Sequence, residues 1–199
     1  AQVWHAWKEK TGIDTIDGIG STENFHIFLS NRPGDIRPGS SGKPFDGYEV
    51  QILDEMDNDV SQGEIGNLLV KGESAALFYL HQYEKSQQTF RGEWMFTGDK
   101  YYVDEDGYYW HAGRSDDMLK VGSIWVSPVE VESILIGHEA VLERAVVGRA
   151  DQSNLIKPHA YVVLNEGLSG SPKLEKQLIS YCREKVAEYK RPRWVDRAA

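Results

Sequence analysis

"GRSDDMLKVGSIWVSPVEVE", Gly113–Glu132, is the stretch where the chain changes character. Up to Arg114 the pattern is dominated by β-prone runs, and beyond it the pattern becomes mixed. Met118–Val126 places two short apolar runs around Gly122-Ser123 and reads as a small hairpin. Ser127-Pro128-Val129-Glu130 then combines an N-cap hydroxyl, a proline at the first helical position and a carboxylate three residues after the cap. That capping box opens a helix reaching about Ile136. A boundary near Asp116 follows, giving units 1–115 and 116–199.

Upstream of the boundary, Val3, Trp4 and Trp7 have helical spacing and Gly12 supplies a C-cap. Ile13–Gly20 reads as a short buried strand running into a loop, and the Pro- and Gly-rich segment 32–47 as loop. A β block follows: Tyr48–Glu55, an acidic turn at 55–59, Gly63–Gly72, and a hairpin over Lys100–Gly113 turning at Asp106-Gly107. Downstream, Leu142–Ala150 and Ile156–Gly167 read as strands. Ser171-Pro172 starts a last helix with Leu174, Leu178, Tyr181, Cys182 and Val186 on one apolar face. The tail from Lys190 reads as ending without a closing element. The fold class is α+β, with no internal repeat.

The chain has 199 residues, enough for a genuine core, and its 40% hydrophobic content is that of a globular protein. Its net charge of -9, without a Lys/Arg-rich block, argues against nucleic-acid binding. No apolar run approaches the roughly 20 residues that span a bilayer, so no membrane partner is expected. The single Cys182 suits a reducing compartment, and a cytoplasmic location is expected.

Four stretches carry chemistry: Gly18-Ile19-Gly20-Ser21-Thr22-Glu23 followed by His26-Ile27; Gly63-Glu64-Ile65-Gly66 with Val70-Lys71-Gly72; Trp94-Met95-Phe96-Thr97-Gly98-Asp99; and Gly113–Glu132 itself. Alone, each is ordinary. Gly18-Ile19-Gly20 suits a turn, Thr22-Glu23 a helix start, and His26 a core or surface histidine. Asp116-Asp117 suits a solvated acidic pair. Trp94, Tyr108 and Tyr109 suit sheet packing, Glu130 a helix cap, and Glu132 a position facing water. In this order and at these separations, however, the four stretches resemble the adenylate-forming superfamily of acyl-CoA synthetases, adenylation domains and luciferases. Within it they most resemble benzoate- and other aryl-CoA ligases.

The resemblance implies that 1–115 is the end of the large AMP-binding domain with its β-rich subdomain. Residues 116–199 would be a small, mobile α+β cap. A carboxylate is a poor electrophile, and transfer of AMP to it creates a leaving group that the thiol of coenzyme A displaces. ATP and coenzyme A are thus implied as cosubstrates, with an aromatic carboxylic acid and Mg²⁺. Asp17, Gly18, Ile19 and Gly20 would line the adenine, where glycines let the backbone come close, and Ser21 would also belong to the nucleotide site. Thr22 would bond the α-phosphate and Glu23 would hold Mg²⁺. Asp99 would accept from the ribose hydroxyls, Arg114 would reach ribose and phosphate, and His111 would sit near base or ribose. Thr22, Glu23 and Arg114 are the implied catalytic set. Gly20, His26 and Ile27 would form part of the acyl pocket, Asp116 the hinge, and Gly122-Ser123 the border of the coenzyme A tunnel. The family usually has glycine at the position of Ser123, so here the small residue has moved one place earlier.

The resemblance also implies that the chain begins after the family's phosphate-gripping loop and stops before its late lysine. Lys190 is not that lysine, because it immediately precedes the Arg191-Pro192-Arg193-Trp194 run. Rival readings are a ligase for an alicyclic or short acid, and a non-catalytic nucleotide-binding or assembly module. The sequence leaves open whether the parent is a homodimer. With both lysine-bearing segments missing, these residues alone are expected to release no pyrophosphate from benzoate and ATP. A substrate-dependent pyrophosphate signal would overturn that expectation.

Overall fold

The computed structural model describes residues 2–122 and 124–197, and the chain divides into two compact units, Ala1–Ser115 and Asp116–Ala199. In the first, helix α1 (Gln2–Thr11) closes as Gly12 N–H donates to Lys8 O, the expected C-cap. Strand β1 (Gly18–Ser21) pairs antiparallel with β2 (His26–Ser30), and β2 pairs with the two-residue β3 (Lys43–Pro44). The expected buried strand from Ile13 is corrected here. Residues 13–17 are not strand, and Ile13 and Ile16 are 61% and 48% exposed, so their apolar side chains pack into neither core cluster.

The larger sheet contains β4 (Tyr48–Leu53), β5 (Gly66–Gly72), β6 (Phe90–Arg91), β7 (Trp94–Val103) and β8 (Tyr109–Arg114). Its order is β4-β5-β7-β6, with β8 pairing β7. The β7–β8 turn falls at Asp106-Gly107 as expected, with Gly107 N–H donating to Asp104 O. A short helix α2 (Tyr83–Thr89) precedes β6 in a segment whose sequence has no clear period. Phe28, Leu29, Leu68, Val70 and Tyr101 form the buried centre of this unit, with Tyr48, Val103 and Tyr109 against it.

The second unit opens with the hairpin β9 (Leu119–Val121) and β10 (Ile124–Val126). Helix α3 (Pro128–Leu135) begins at Ser127, whose hydroxyl accepts from Glu130 N–H at 3.1 Å. Glu130 also takes the Lys190 ammonium on both carboxylate oxygens, at 2.9 and 2.7 Å. Glu132 does not simply face water: its Oε1 accepts the Val146 amide at 2.9 Å. Val146 lies on β11 (Val141–Ala150), an edge strand, so the carboxylate satisfies an edge amide from the side.

Strand β11 pairs antiparallel with β12 (Ile156–Leu164), and helix α4 (Pro172–Arg183) follows, capped by Ser171. Leu178 and Cys182 are the buried part of the α4 face, while Val186 lies beyond the helix end. The tail is also a correction. Residues Trp194–Arg197 form β13, parallel to β12, and Val195 joins the core. Proline at 192 and only four strand residues leave little periodic signal there. Among the described residues no helix is long and apolar enough to cross a membrane.

Leu135 is fully buried between α3, the sheet and α4. Leu135→Ala is expected to destabilise the second unit by about 2–5 kcal/mol, read as a lowered urea midpoint. Burial pushes the Cys182 thiol up to about 11. It should resist iodoacetamide at pH 8 in the folded protein and react once urea unfolds it.

Candidate nucleotide site

Asp99 and Arg114 are cross-strand partners on β7 and β8. Arg114 Nη1 lies 3.2 Å from Asp99 Oδ1 and also donates to Thr97 O at 3.2 Å. Gly98 makes this approach possible. Its φ is +76°, and a Cβ there would stand 2.8 Å from the Arg114 guanidinium. Thr97 Oγ1 accepts the Asp99 amide at 3.1 Å and donates to Leu68 O at 3.1 Å, which ties the carboxylate's backbone to β5.

His111 completes the cluster, with Nε2 3.6 Å from Asp99 Oδ1. Residues 111 and 114 are an odd number apart and would face opposite sides of an ideal strand. The register shifts between Lys100 and Tyr101, so that Tyr101 opposes His111 while Asp99 opposes Arg114. Ala112 is the extra residue, and the bulge turns both the imidazole and the guanidinium to the face of Asp99. The His111 ring lies 5.2 Å from the Tyr101 ring, whose hydroxyl meets Ser41 Oγ at 2.9 Å. Burial holds the Tyr101 phenol above its ordinary value, so it stays neutral. Asp99 is buried, whereas Arg114 is half exposed, with 51% of its side-chain surface free. Both contacts fall on Oδ1.

Glu23 belongs to a second cluster, in the tight turn between β1 and β2. Phe25 takes φ +56° there, and the Asn24 amide donates to Ser21 Oγ at 3.2 Å. Asn24 Nδ2 and Ser21 Oγ both meet Met95 Sδ, at 3.3 and 3.9 Å, which fastens the turn to β7. Met95 and Asp99 are four residues apart on that strand, about 13 Å along an extended chain. The Glu23 carboxylate accepts the Tyr79 hydroxyl at 2.6 Å, and Ala76 N–H donates to Glu23 O at 2.7 Å. The Tyr79 bond holds the Glu23 carboxyl below the usual range, against partial burial acting the other way. Burial first, and the Glu23 bond second, raise the Tyr79 phenol.

The other residues expected at the site lie on the β1–β2 hairpin and around the boundary between the units. Asp17, Gly18, Gly20 and Thr22 are exposed, and Ile19 and Ser21 are half-buried. A Cβ on Gly20 would lie 2.4 Å from His26 O, so β2 itself already requires glycine there. Gly20 opposes Ile27 and Ser21 opposes His26, which brings the three residues expected at an acyl pocket onto one hairpin. The His26 ring stands 5.8 Å from Phe45 and 6.4 Å from Tyr48, and Ile27 is 45% exposed. Asp116 is the first residue of the second unit. Gly122 has φ +66°, and Ser123 lies outside the described residues.

Two residues given no role from sequence organise the site. Buried Asn31 donates to Asp17 O at 3.0 Å and Ser40 O at 2.9 Å and accepts Arg37 N–H at 2.8 Å, so one satisfied amide locks the start of β1 to the Pro/Gly loop. Tyr79 is the other. Its partner is 56 positions away, and no local signal could join them. A cavity of about 600 Å³ is lined by Tyr79, Leu77, Phe78, Tyr83 and Phe90. No carboxylate lines it.

Among the described residues no group of three or more His, Cys, Asp or Glu could hold a metal ion. A single carboxylate such as Glu23 still fits Mg²⁺ that takes most of its ligands from phosphate oxygens and water, the usual arrangement for that ion.

Comparison with known proteins gives these residues a context. A sequence model described as AMP-binding enzyme matches residues 1–80, and one described as AMP-binding enzyme C-terminal domain matches residues 130–198. A benzoate–CoA ligase of Thauera aromatica is 50% identical over 98% of this chain, and a 4-hydroxybenzoate–CoA/benzoate–CoA ligase of Rhodopseudomonas palustris is 43% identical over 98%. The chain spans 37% and 36% of the length of these two relatives. Among solved structures, the anthranilate CoA ligase AuaEII in complex with anthranoyl-AMP superposes with a TM-score of 0.91 at 64% identity, over 98% of this chain and 38% of that one. A benzoate CoA ligase of Burkholderia xenovorans superposes at 0.89 with 45% identity, over 99% of this chain and 39% of that one. With both models in order along the chain and relatives aligned over nearly all of it, the chain belongs to the AMP-binding, adenylate-forming enzyme family.

Proposed function

We propose that the intact protein joins an aromatic carboxylic acid of the benzoate class to coenzyme A, converting ATP to AMP and pyrophosphate. The observation that carries this reading is the Asp99–Arg114–His111 cluster. It holds one buried carboxylate and two half-exposed nitrogen donors on one face of β7 and β8 in a family that handles adenylates. The substrate class is supported by relatives named for benzoate and hydroxybenzoates and by a neighbour that holds anthranoyl-AMP.

In the first half-reaction the substrate carboxylate oxygen attacks the α-phosphorus, the P–O bond to pyrophosphate breaks, and acyl-AMP forms. In the second, the thiol sulfur of coenzyme A attacks the acyl carbon, its proton is lost, and AMP leaves with the electron pair of the acyl–oxygen bond. Asp99 Oδ2 accepts from ribose hydroxyls, Arg114 donates to ribose and phosphate, and Thr22 donates to the α-phosphate. Asp17 to Gly20 line the base, Ser21 belongs to the same nucleotide site, and His111 lies near base or ribose. Gly20, His26 and Ile27 form one wall of the acyl pocket, and Asp116 is the hinge of the second unit. Glu23 would hold the Mg²⁺, which when bound neutralises charge gathering on the phosphates.

Calorimetry on the intact protein tests this. A non-hydrolysable benzoyl-AMP or anthranoyl-AMP analogue should bind more tightly than AMP. Asp99→Asn should weaken both nucleotides by about tenfold or more, the loss of hydrogen bonds to a charged acceptor. AMP binding with no gain from the aryl group would point instead to a non-catalytic nucleotide module. Unchanged affinity in Asp99→Asn would remove Asp99 from the site.

A further inference from the structure

We propose that Tyr79 is a positioning residue for Glu23: its hydroxyl occupies one carboxylate oxygen and presents the other to the nucleotide-bound cation. The inference rests on the reading of Glu23 as the carboxylate that meets Mg²⁺ with ATP. The hydroxyl lies 2.6 Å from Glu23 Oε1, the length of a charge-assisted O–H···O⁻ bond. A carboxylate with one oxygen engaged by a fixed neutral donor loses its freedom to rotate. The engaged oxygen is also less available to a small cation, which favours contact through the other oxygen by an ion that demands octahedral geometry and keeps several waters.

Tyr79 is itself held from several sides. Its ring lies 5.3 Å from that of Phe90, with Lys85 Nζ 4.4 Å from the ring centroid. Its amide donates to Ser86 Oγ at 2.9 Å, and the Ser86 hydroxyl reaches Gln82 O at 2.7 Å. Ser86 is buried on α2, so the helix fixes the tyrosine that fixes the glutamate. The Ala76 N–H bond to Glu23 O anchors the main chain of the turn independently. The Ala76 bond thus docks this segment onto the turn without the phenol, and Tyr79 acts on the carboxylate as its strongest partner, alongside the Glu23 amide and the Ser21 hydroxyl. Such outer partners of ligating carboxylates commonly change metal affinity by about 10–100-fold when removed.

The test uses the full-length protein and α,β-methylene-ATP as probe. Its dissociation constant is measured by calorimetry with and without saturating Mg²⁺, and the ratio is the Mg²⁺-supported gain. Tyr79→Phe should leave the Mg²⁺-free affinity within about twofold and reduce the gain about tenfold or more, with Tm little changed. Phe90→Leu loosens the ring packing but keeps the hydroxyl, and it should retain the gain even if Tm falls. Equal loss of the gain in both variants would show a merely structural role and overturn the proposal. If Glu23→Gln abolishes the gain while Tyr79→Phe keeps it, the inference fails and the ATP-site reading stands. If Glu23→Gln keeps the gain, the reading of Glu23 fails and the inference with it.

Discussion

One extra residue in β8 decides what surrounds Asp99. Without Ala112 as a bulge, strand alternation would send His111 and Arg114 to opposite faces, and the buried carboxylate would meet one of the two at most. With it, both reach Oδ1, at 3.6 and 3.2 Å. Gly98 performs the matching adjustment on β7, where its left-handed backbone clears the path of the guanidinium. Two irregularities on adjacent strands therefore gather Asp99, Arg114 and His111 on one face of a sheet whose regular parts serve the core.

The same division of labour holds at Glu23. The β1–β2 turn is anchored by Asn31 at its base, by Met95 below, and by the 76–90 segment against its main chain and carboxylate. Exposed ion pairs contribute little to such a scaffold. Buried amides and hydroxyls with all partners in place contribute more, because leaving any of them unpaired is costly.

What could be read from the sequence was what depends on neighbours in the chain. Ser127 and Ser171 cap their helices as their spacing requires, Asp106-Gly107 turns its hairpin, and Gly12 closes α1. The family likeness, resting on four separated motifs, located the candidate residues, and Gly20, His26 and Ile27 do share a hairpin. What could not be read depends on long-range contact. Tyr79 meets Glu23 across 56 positions, Asn31 binds backbone on two loops, and Glu132 serves an edge amide 14 positions on. The β8 bulge left no signal because a small apolar residue, not glycine, occupies it. Strand β13 was missed because its partner β12 is a non-neighbour reached only after α4.

That parallel pairing bears on the order in which the second unit folds. Strands β11 and β12 are joined by a short connection and can zip together locally, whereas β13 must wait for the whole intervening helix to cross the sheet. Its closure carries the higher entropic barrier. Until it arrives, one side of β12 offers open hydrogen-bonding groups and Val195 is missing from the core. The slowest step of assembly in this unit should thus be the docking of its last four strand residues, during which a transient open edge is exposed to other chains.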